Sequence, residues 1–271
     1  MQISNSSVLI TGGASGIGKI MGRIALEKGA ANLIIWDINK ANIDLTVKEL
    51  SALGSVRGYS VDVSDAAAVE SAYNQVVKDC GKVDILINCA GIVTSNKTFE
   101  LQTVEEITRT ININTIAPMF VTRVCLPDML SRGYGHICNI TSAGGMLSNP
   151  RMSVYGASKW GAIGWSESMR IELQSRKSKV KVTTVAPYYI NTGMFDGVKS
   201  KVFPILKPEY ASAKIMKAIE KDKIFAGIPF GFHFIRFWQG ILPTKLFDII
   251  FGEWFGIYHT MDNFTGRKQK A

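Results

Sequence analysis

Ser7-Val8-Leu9-Ile10-Thr11-Gly12-Gly13-Ala14-Ser15-Gly16-Ile17-Gly18 is the stretch that decides the fold. An apolar run of strand type passes directly into a turn with glycine at 12, 16 and 18, and then into helical periodicity up to about Gly29. Glycine at those positions lets the backbone turn tightly and come close to a pyrophosphate. The helix that follows offers free N–H groups and the positive end of its dipole. The spacing is G-x-x-x-G-x-G rather than G-x-G-x-x-G, so the turn alone is a weak signal. Its context strengthens it: Asn32-Leu33-Ile34-Ile35-Trp36-Asp37 is a second strand, and its acid falls nineteen residues after Gly18. An acid about 20 residues on suits the ribose hydroxyls of NAD and repels the 2′-phosphate of NADP. Lys40 is the only base close to Asp37, so NAD is the expected cofactor and NADP the poorer fit.

Outward from this unit, apolar runs and helical stretches keep alternating. Val56 to Val61, Val83 to Ile87, His136 to Ile140, Val180 to Val185 and Ile224-Phe225-Ala226 read as strands. Helices are expected over 41–53, 65–80, 103–131, 152–175 and 208–222. Continuous apolar strands separated by helices imply a parallel sheet covered on both faces, and right-handed crossovers make it doubly wound. The expected fold is α/β and Rossmann-like, a single domain over 1–227, with residues 228–271 as an aromatic, basic extension. No repeat, low-complexity tract or linker interrupts it.

The chain has 271 residues, 46% hydrophobic and 20% charged, which excludes disorder, collagen and coiled coil. Cys80, Cys89, Cys125 and Cys138 form no CxxC pair and are too sparse for a disulfide framework, so they read as reduced thiols in a cytoplasmic protein. Met1-Gln2-Ile3-Ser4-Asn5-Ser6 has neither a basic region nor an apolar run, so no signal peptide is expected. No His, Cys or acid cluster has metal-ligand spacing, and no metal is expected. The charge is lopsided: residues 1–169 balance 14 Lys/Arg against 14 Asp/Glu, whereas 170–271 hold 17 against 8 and carry the whole net +9. Such a half suits an anionic surface or solvated helix faces. Nothing resembles a nucleic-acid recognition motif, so nucleic acid is not an expected partner.

Asp62-Val63 and Asn88-Cys89-Ala90-Gly91 follow the third and fourth strands, at the carboxyl edge where open parallel sheets bind ligands. Asp62 is placed to accept from an adenine amino group, and Asn88, Ala90 and Gly91 to line the adenosine. Tyr155-Gly156-Ala157-Ser158-Lys159 sets a phenol and an ammonium at i and i+4 on one helix face. A free tyrosine is a poor base, with a pKa of about 10, and a nearby cation brings that value toward working pH. Ser142 lies just beyond the strand 136–140, where its hydroxyl can hold a substrate oxygen.

These ordered motifs, with Asn114 and the stretch Pro187 to Thr192, resemble the short-chain dehydrogenase/reductase family over roughly residues 6–227. The resemblance implies that Tyr155 is the general acid/base, that Ser142 orients the substrate oxygen, and that Lys159 binds the nicotinamide ribose and lowers the tyrosine pKa. It implies cofactor contacts from Gly12, Ser15, Gly16, Ile17, Gly18, Asp37, Asp62, Val63, Asn88, Ala90, Gly91, Pro187, Ile190 and Thr192. Asn114 would hold a water behind Lys159; Asn112 competes for that role, and Ala117 three places after Asn114 favours Asn114. The family implies a homodimer or homotetramer through the helices near 103–131 and 152–175. Cys89 and Tyr188 depart from the usual Asn and Gly. Leu33 to Asn39, Pro187 to Met194 and Met261 to Arg267 resemble one subgroup, which holds retinol dehydrogenases and the 17β-hydroxysteroid dehydrogenases of lipid droplets. A lipophilic alcohol is the implied substrate.

Residues 225–258 hold 11 of the 26 aromatic residues. Pro229, Arg236, Pro243, Lys245, Asp248 and Glu253 break any spanning helix, while Leu246 to Phe255 can form an amphipathic one. Core or subunit packing, a pocket lid and peripheral membrane contact are the open readings of this segment. His233 and His259 read as packing or surface residues. Against an NAD-dependent alcohol dehydrogenase stand two rivals, an NADP(H)-dependent carbonyl reductase and a non-catalytic nucleotide-sensing or membrane-binding module.

Overall fold

The computed structural model describes residues 1–266; the last five residues of the expected extension lie outside the described residues. Seven parallel strands form one sheet: β1 (Ser7–Thr11), β2 (Asn32–Asp37), β3 (Val56–Ser60), β4 (Ile85–Asn88), β5 (His136–Ile140), β6 (Lys181–Pro187) and β7 (Phe225–Ile228). Their order is β3-β2-β1-β4-β5-β6-β7. The chain therefore winds outward one way from β1, then returns and winds the other way from β4. β1 is the pivot, with Ile10 opposite Ile35 on one side and Ile87 on the other. Side chains alternate across a strand, so Val8, Ile10, Leu33, Ile35, Ile85 and Ile87 enter one core while Leu9, Ile34, Trp36 and Leu86 enter the other. That is why these strands read as unbroken apolar runs. β3 departs from that reading: Val56-Arg57-Gly58-Tyr59-Ser60 has no buried residue, because it is an edge strand.

The covering helices are α1 (Gly16–Glu27), α2 (Lys40–Leu50), α3 (Ala66–Cys80), α4 (Val104–Ile111), α5 (Ala117–Arg132), α6 (Ser153–Ser175) and α7 (Pro208–Glu220). α1 packs on α7 at one face, and α3 on α5 at the other. The single helix expected over 103–131 is instead α4 and α5 joined by a wide π-helical turn, Asn112–Ile116. The Thr103–Glu106 capping box starts α4. The wide turn inserts extra backbone and leaves Asn114 facing inward, buried, which the apolar periodicity of the segment does not encode.

Beyond β7, a short turn (Phe230–Phe234) leads to α8 (Ile235–Ile241), α9 (Thr244–Phe247), a π-helical turn (Asp248–Trp254) and a last turn (Ile257–His259). Of the amphipathic helix expected over Leu246 to Phe255, only Leu246 and Phe247 are α-helical, and Asp248–Trp254 continues it as a wider π-helical turn. Phe232, Ile235, Phe247 and Ile257 join the same core as β1, so the segment packs onto the sheet rather than standing apart. His233 accepts from the Gly227 N–H, and His259 sits between Glu253 and Asp262. No helix among the described residues is long and apolar enough to cross a membrane.

Two polar groupings fix the strand ends and their register. The buried Asp84 carboxylate, just before β4, accepts from the Ser7 N–H at 3.0 Å and from Arg132 Nη1 at 3.0 Å. Deeper in the sheet, Asn88 donates to Asn139 at 2.8 Å, Asn139 to Ser166 at 2.8 Å, and Ser166 meets Thr184 at 2.7 Å. Asp84→Ala leaves the Ser7 N–H without its acceptor and the partly buried Arg132 guanidinium with only Asp128 and the Val83 carbonyl. The expected loss is about 3 kcal/mol, seen as a lower urea midpoint at unchanged slope; an unchanged midpoint would remove Asp84 from the account.

Candidate active site

The crevice opens where the winding reverses, outside the carboxyl ends of β1 and β4. Gly12 has φ +65°, and a Cβ there would lie 3.0 Å from the Ala90 Cα. A Cβ on Gly18 would lie 2.2 Å from the Gly12 carbonyl oxygen, so only glycine lets the first turn of α1 fold back onto the loop. The Thr11 hydroxyl ties the two strand ends together by accepting from the N–H groups of Cys89 and Ala90 at 3.0 and 3.1 Å. Asp37 braces the turn: one carboxylate oxygen accepts from Ala14 N–H and the other from Asn39 N–H, each at 3.1 Å.

Gly12, Ser15, Gly16, Ile17, Gly18, Asp37, Asp62, Val63, Ala90, Gly91, Tyr155, Lys159, Pro187, Ile190 and Thr192 line one cleft of about 290 Å³. The glycine cradle at one helix N-terminus and the acid beyond it fit a dinucleotide. Asn88 is not part of this lining. Its amide is turned into the sheet, donating to Thr122 and Asn139, rather than toward the cleft where a cofactor contact was expected. Asp62 stands in the cleft, with one carboxylate oxygen accepting from the backbone and the hydroxyl of Ser64. The cleft also holds residues that the sequence did not assign to the site, among them Trp36, Arg109, Ile113, Met194 and Phe195. The strand pattern gave Trp36 as core, and no local motif marks the others.

Tyr155 and Lys159 occupy one face of α6, both buried, with the ammonium 5.8 Å from the ring centroid. Ser142 lines the cleft beside them and accepts from the Gly144 N–H at 3.1 Å. Among the described residues, Lys159 Nζ has only the Ile140 carbonyl within hydrogen-bonding reach, at 3.5 Å. Asn114 lies behind this group: its amide accepts from Ile92 N–H at 2.8 Å and donates to Ile92 O at 2.9 Å and to the Ser158 hydroxyl at 3.1 Å. Asn112 is only half-buried and forms no comparable links. The expected lowering of the tyrosine pKa by Lys159 does not emerge here. Burial pushes the Tyr155 phenol up to about 12, and the opposing pull comes from Ser142. Burial also brings the Lys159 ammonium down to about 8. Desolvation disfavours both charged forms.

A smaller recess of about 40 Å³ adjoins Ser142 and Tyr155, walled by Leu147, Asn149, Met152, Tyr189, Phe195 and Ile257. Tyr188, in place of the usual glycine, borders both spaces, with its hydroxyl donating to Ser200 at 2.9 Å. Met261 and Phe264 of the tail pack in the same apolar cluster as Tyr155 and Met152. Among the described residues, no group of three or more His, Cys, Asp or Glu side chains can hold a metal ion.

A family model described as short chain dehydrogenase matches residues 6–202. The chain is 36% identical to epidermal retinol dehydrogenase 2 of Mus musculus over all of its own length and 88% of that protein. It is 31% identical to estradiol 17-beta-dehydrogenase 11 of Pongo abelii, covering 92% of this chain and 83% of that one. In three dimensions it resembles a short chain dehydrogenase/reductase from Burkholderia phymatum, solved in complex with NAD. That likeness has a TM-score of 0.80 at 22% identity and covers 93% of this chain and 96% of the other.

The Gly18–Gly12 contact carries a prediction. Gly18→Ala must push the turn off its backbone neighbour. Dinucleotide affinity, followed by nicotinamide fluorescence, is expected to fall by at least about tenfold. Unchanged affinity would mean that this turn does not hold the diphosphate.

Proposed function

Because the chain belongs to the short-chain dehydrogenase family of oxidoreductases, we propose that it interconverts a lipophilic alcohol and its carbonyl with NAD. The observation that carries this reading is one cleft lined both by Tyr155, Lys159 and Ser142 and by the glycine cradle with Asp37. Asp37 supports NAD over NADP, since a carboxylate lining the cleft would repel a 2′-phosphate. The relatives named for retinol and estradiol, and the aromatic walls of the recess, support a retinol-, steroid- or fatty-alcohol-like substrate.

A nicotinamide, when bound, supplies the hydride donor or acceptor. Ser142 holds the substrate oxygen by its hydroxyl. Tyr155 handles the proton at that oxygen, taking it in oxidation and giving it in reduction. Lys159 binds the ribose hydroxyls and sets a cation beside the phenol as it ionises. Asn114 acts from behind as a positioning residue, through Ile92 and Ser158. The buried walls exclude water, which strengthens each of these interactions.

A second reading concerns the extension. Nine large apolar side chains between 230 and 255 are exposed, among them Phe230, Phe237, Trp238 and Trp254, in the half of the chain that carries the positive charge. These features support peripheral contact with an anionic lipid surface. Vesicle co-sedimentation that increases with phosphatidylserine content tests it, and no sedimentation at any composition rejects it. Homo-oligomer formation through α5 and α6 is the accompanying proposal, read by light scattering.

Tyr155→Phe is expected to lose about 10²–10⁴-fold in turnover with a panel of long-chain alcohols, retinol and steroids while keeping NADH binding. Normal turnover in that variant would sink the mechanism. The pH dependence follows in sign from burial. With the phenol pushed up to about 12, the proton is in place for reduction at pH 7, while oxidation needs the scarce phenolate. Oxidation kcat/KM is therefore expected to climb from pH 7 to 9 while reduction does not, and a flat oxidation profile contradicts Tyr155 as the base.

A further inference from the structure

The tail closes over the substrate side of Tyr155, and a few contacts hold it there. Thr260 is almost fully buried, at 2% exposure. Its hydroxyl donates to the Ile257 carbonyl at 2.9 Å and accepts from Asn149 Nδ2 at 3.0 Å. It also lies 3.1 Å from the Tyr189 hydroxyl, which in turn accepts from Asn149 at 2.7 Å. Three segments meet at this knot: the loop after β5, the loop after β6 and the tail. Around it, Asn96 Nδ2 donates to Met261 O at 3.0 Å, Lys199 N–H to Thr260 O at 3.2 Å, and Thr265 N–H to Asp196 O at 2.8 Å. Under this strap Met261, also 2% exposed, packs with Met152 and Tyr155, while Phe264 and Phe195 extend the apolar cover.

Space beneath the strap is short. The recess beside Tyr155 measures about 40 Å³. That is room for about three waters, against the several hundred Å³ of ordinary pockets for lipophilic ligands. With a dinucleotide filling the larger cleft and the strap down, an alcohol of a few carbons fits at the phenol and a long one does not.

We propose that residues 257–265 form a gate that sets which alcohols reach Tyr155, with the Thr260 hydroxyl as its latch and Met261 and Phe264 as the size-determining wall. The proposal rests on the reading of Tyr155 as the acid/base. A long substrate binds only molecules whose gate is open, so its apparent affinity is reduced by the closed fraction. A short alcohol does not pay this penalty. Loosening the latch therefore favours long substrates selectively.

Gly197 offers a second handle on the gate. It has φ +85°, and a Cβ there would lie 2.0 Å from the Asn263 carbonyl oxygen, so Gly197→Ala wedges the strap away from outside the cleft.

The test compares the full chain with Thr260→Val, Thr260→Ser and Gly197→Ala. Two readouts are needed: deuterium exchange at the Lys199 and Thr265 amides, and KM across secondary alcohols from propan-2-ol to chains of ten or more carbons. Thr260→Val and Gly197→Ala are expected to exchange faster and to lower KM for the long alcohols about five- to tenfold, with propan-2-ol unchanged. Thr260→Ser, which keeps the hydroxyl, is expected to match the parent. Unchanged exchange in Thr260→Val overturns the latch, and faster exchange with an unaltered chain-length profile overturns the size gate. If the parent oxidises none of the alcohols with either NAD or NADP, the reading of the site has failed, and exchange alone still decides the latch.

Discussion

One carboxamide joins the parts on which the site depends. Asn114 is bonded to both backbone groups of Ile92, beyond β4, and to Ser158, one residue before Lys159 on α6. It sits on the wide turn between α4 and α5, which is what brings its side chain inward. Three segments far apart in the chain thereby hold one geometry through a single buried group. A buried amide left without partners costs more than its bonds contribute when made, so the wide turn, the loop and α6 are fixed together or not at all. An ordinary α-helical path through 112–116 would rotate Asn114 away and release the other two.

Much of the frame was legible in the sequence because β1 and β2 are apolar runs with polar ends, and the bounds of β1, β2 and β5 agree with the structure to the residue. Gly12, Gly18, Asp37, Ser142, Tyr155 and Lys159 were legible too, since each belongs to a spacing with a physical reason, and one cleft contains them all. The wide turn at Asn112–Ile116 was not, because Ile111, Ile113 and Ile116 fit an unbroken helix equally well. Asn88 misled for a different reason. Its position at a strand end suits a ligand contact, but rotation about χ1 decides whether the amide faces the cleft or the sheet, and Asn139 and Thr122 decide that. The tail contacts with Tyr155 come from more than a hundred residues away, which no local pattern encodes.

Burial acts on the two titratable groups in opposite senses. It raises the phenol and lowers the ammonium, so both are driven toward neutral forms at the bottom of a dry cleft. At about 8 the ammonium still keeps its proton at pH 7, while the phenol at about 12 stays neutral. A charge that develops beside the ring is then felt strongly, because the groups packed around it are apolar. The same dryness follows from Met152, Met261 and Phe195 around the ring, so the apolar cover and the proton chemistry are consequences of one packing arrangement.

The chain of amides and hydroxyls from Asn88 through Asn139 and Ser166 to Thr184 bears on a separate problem. A parallel sheet built from Val and Ile is nearly indifferent to sliding by two residues: each face still meets aliphatic groups of similar size. Hydrogen-bonding side chains are not indifferent, since a shift of that length would strand every one of them in an apolar interior. β4, β5, β6 and the helix above them are thus keyed like the wards of a lock. The hydrophobic runs supply cohesion without choosing an alignment, and four small polar residues make the choice.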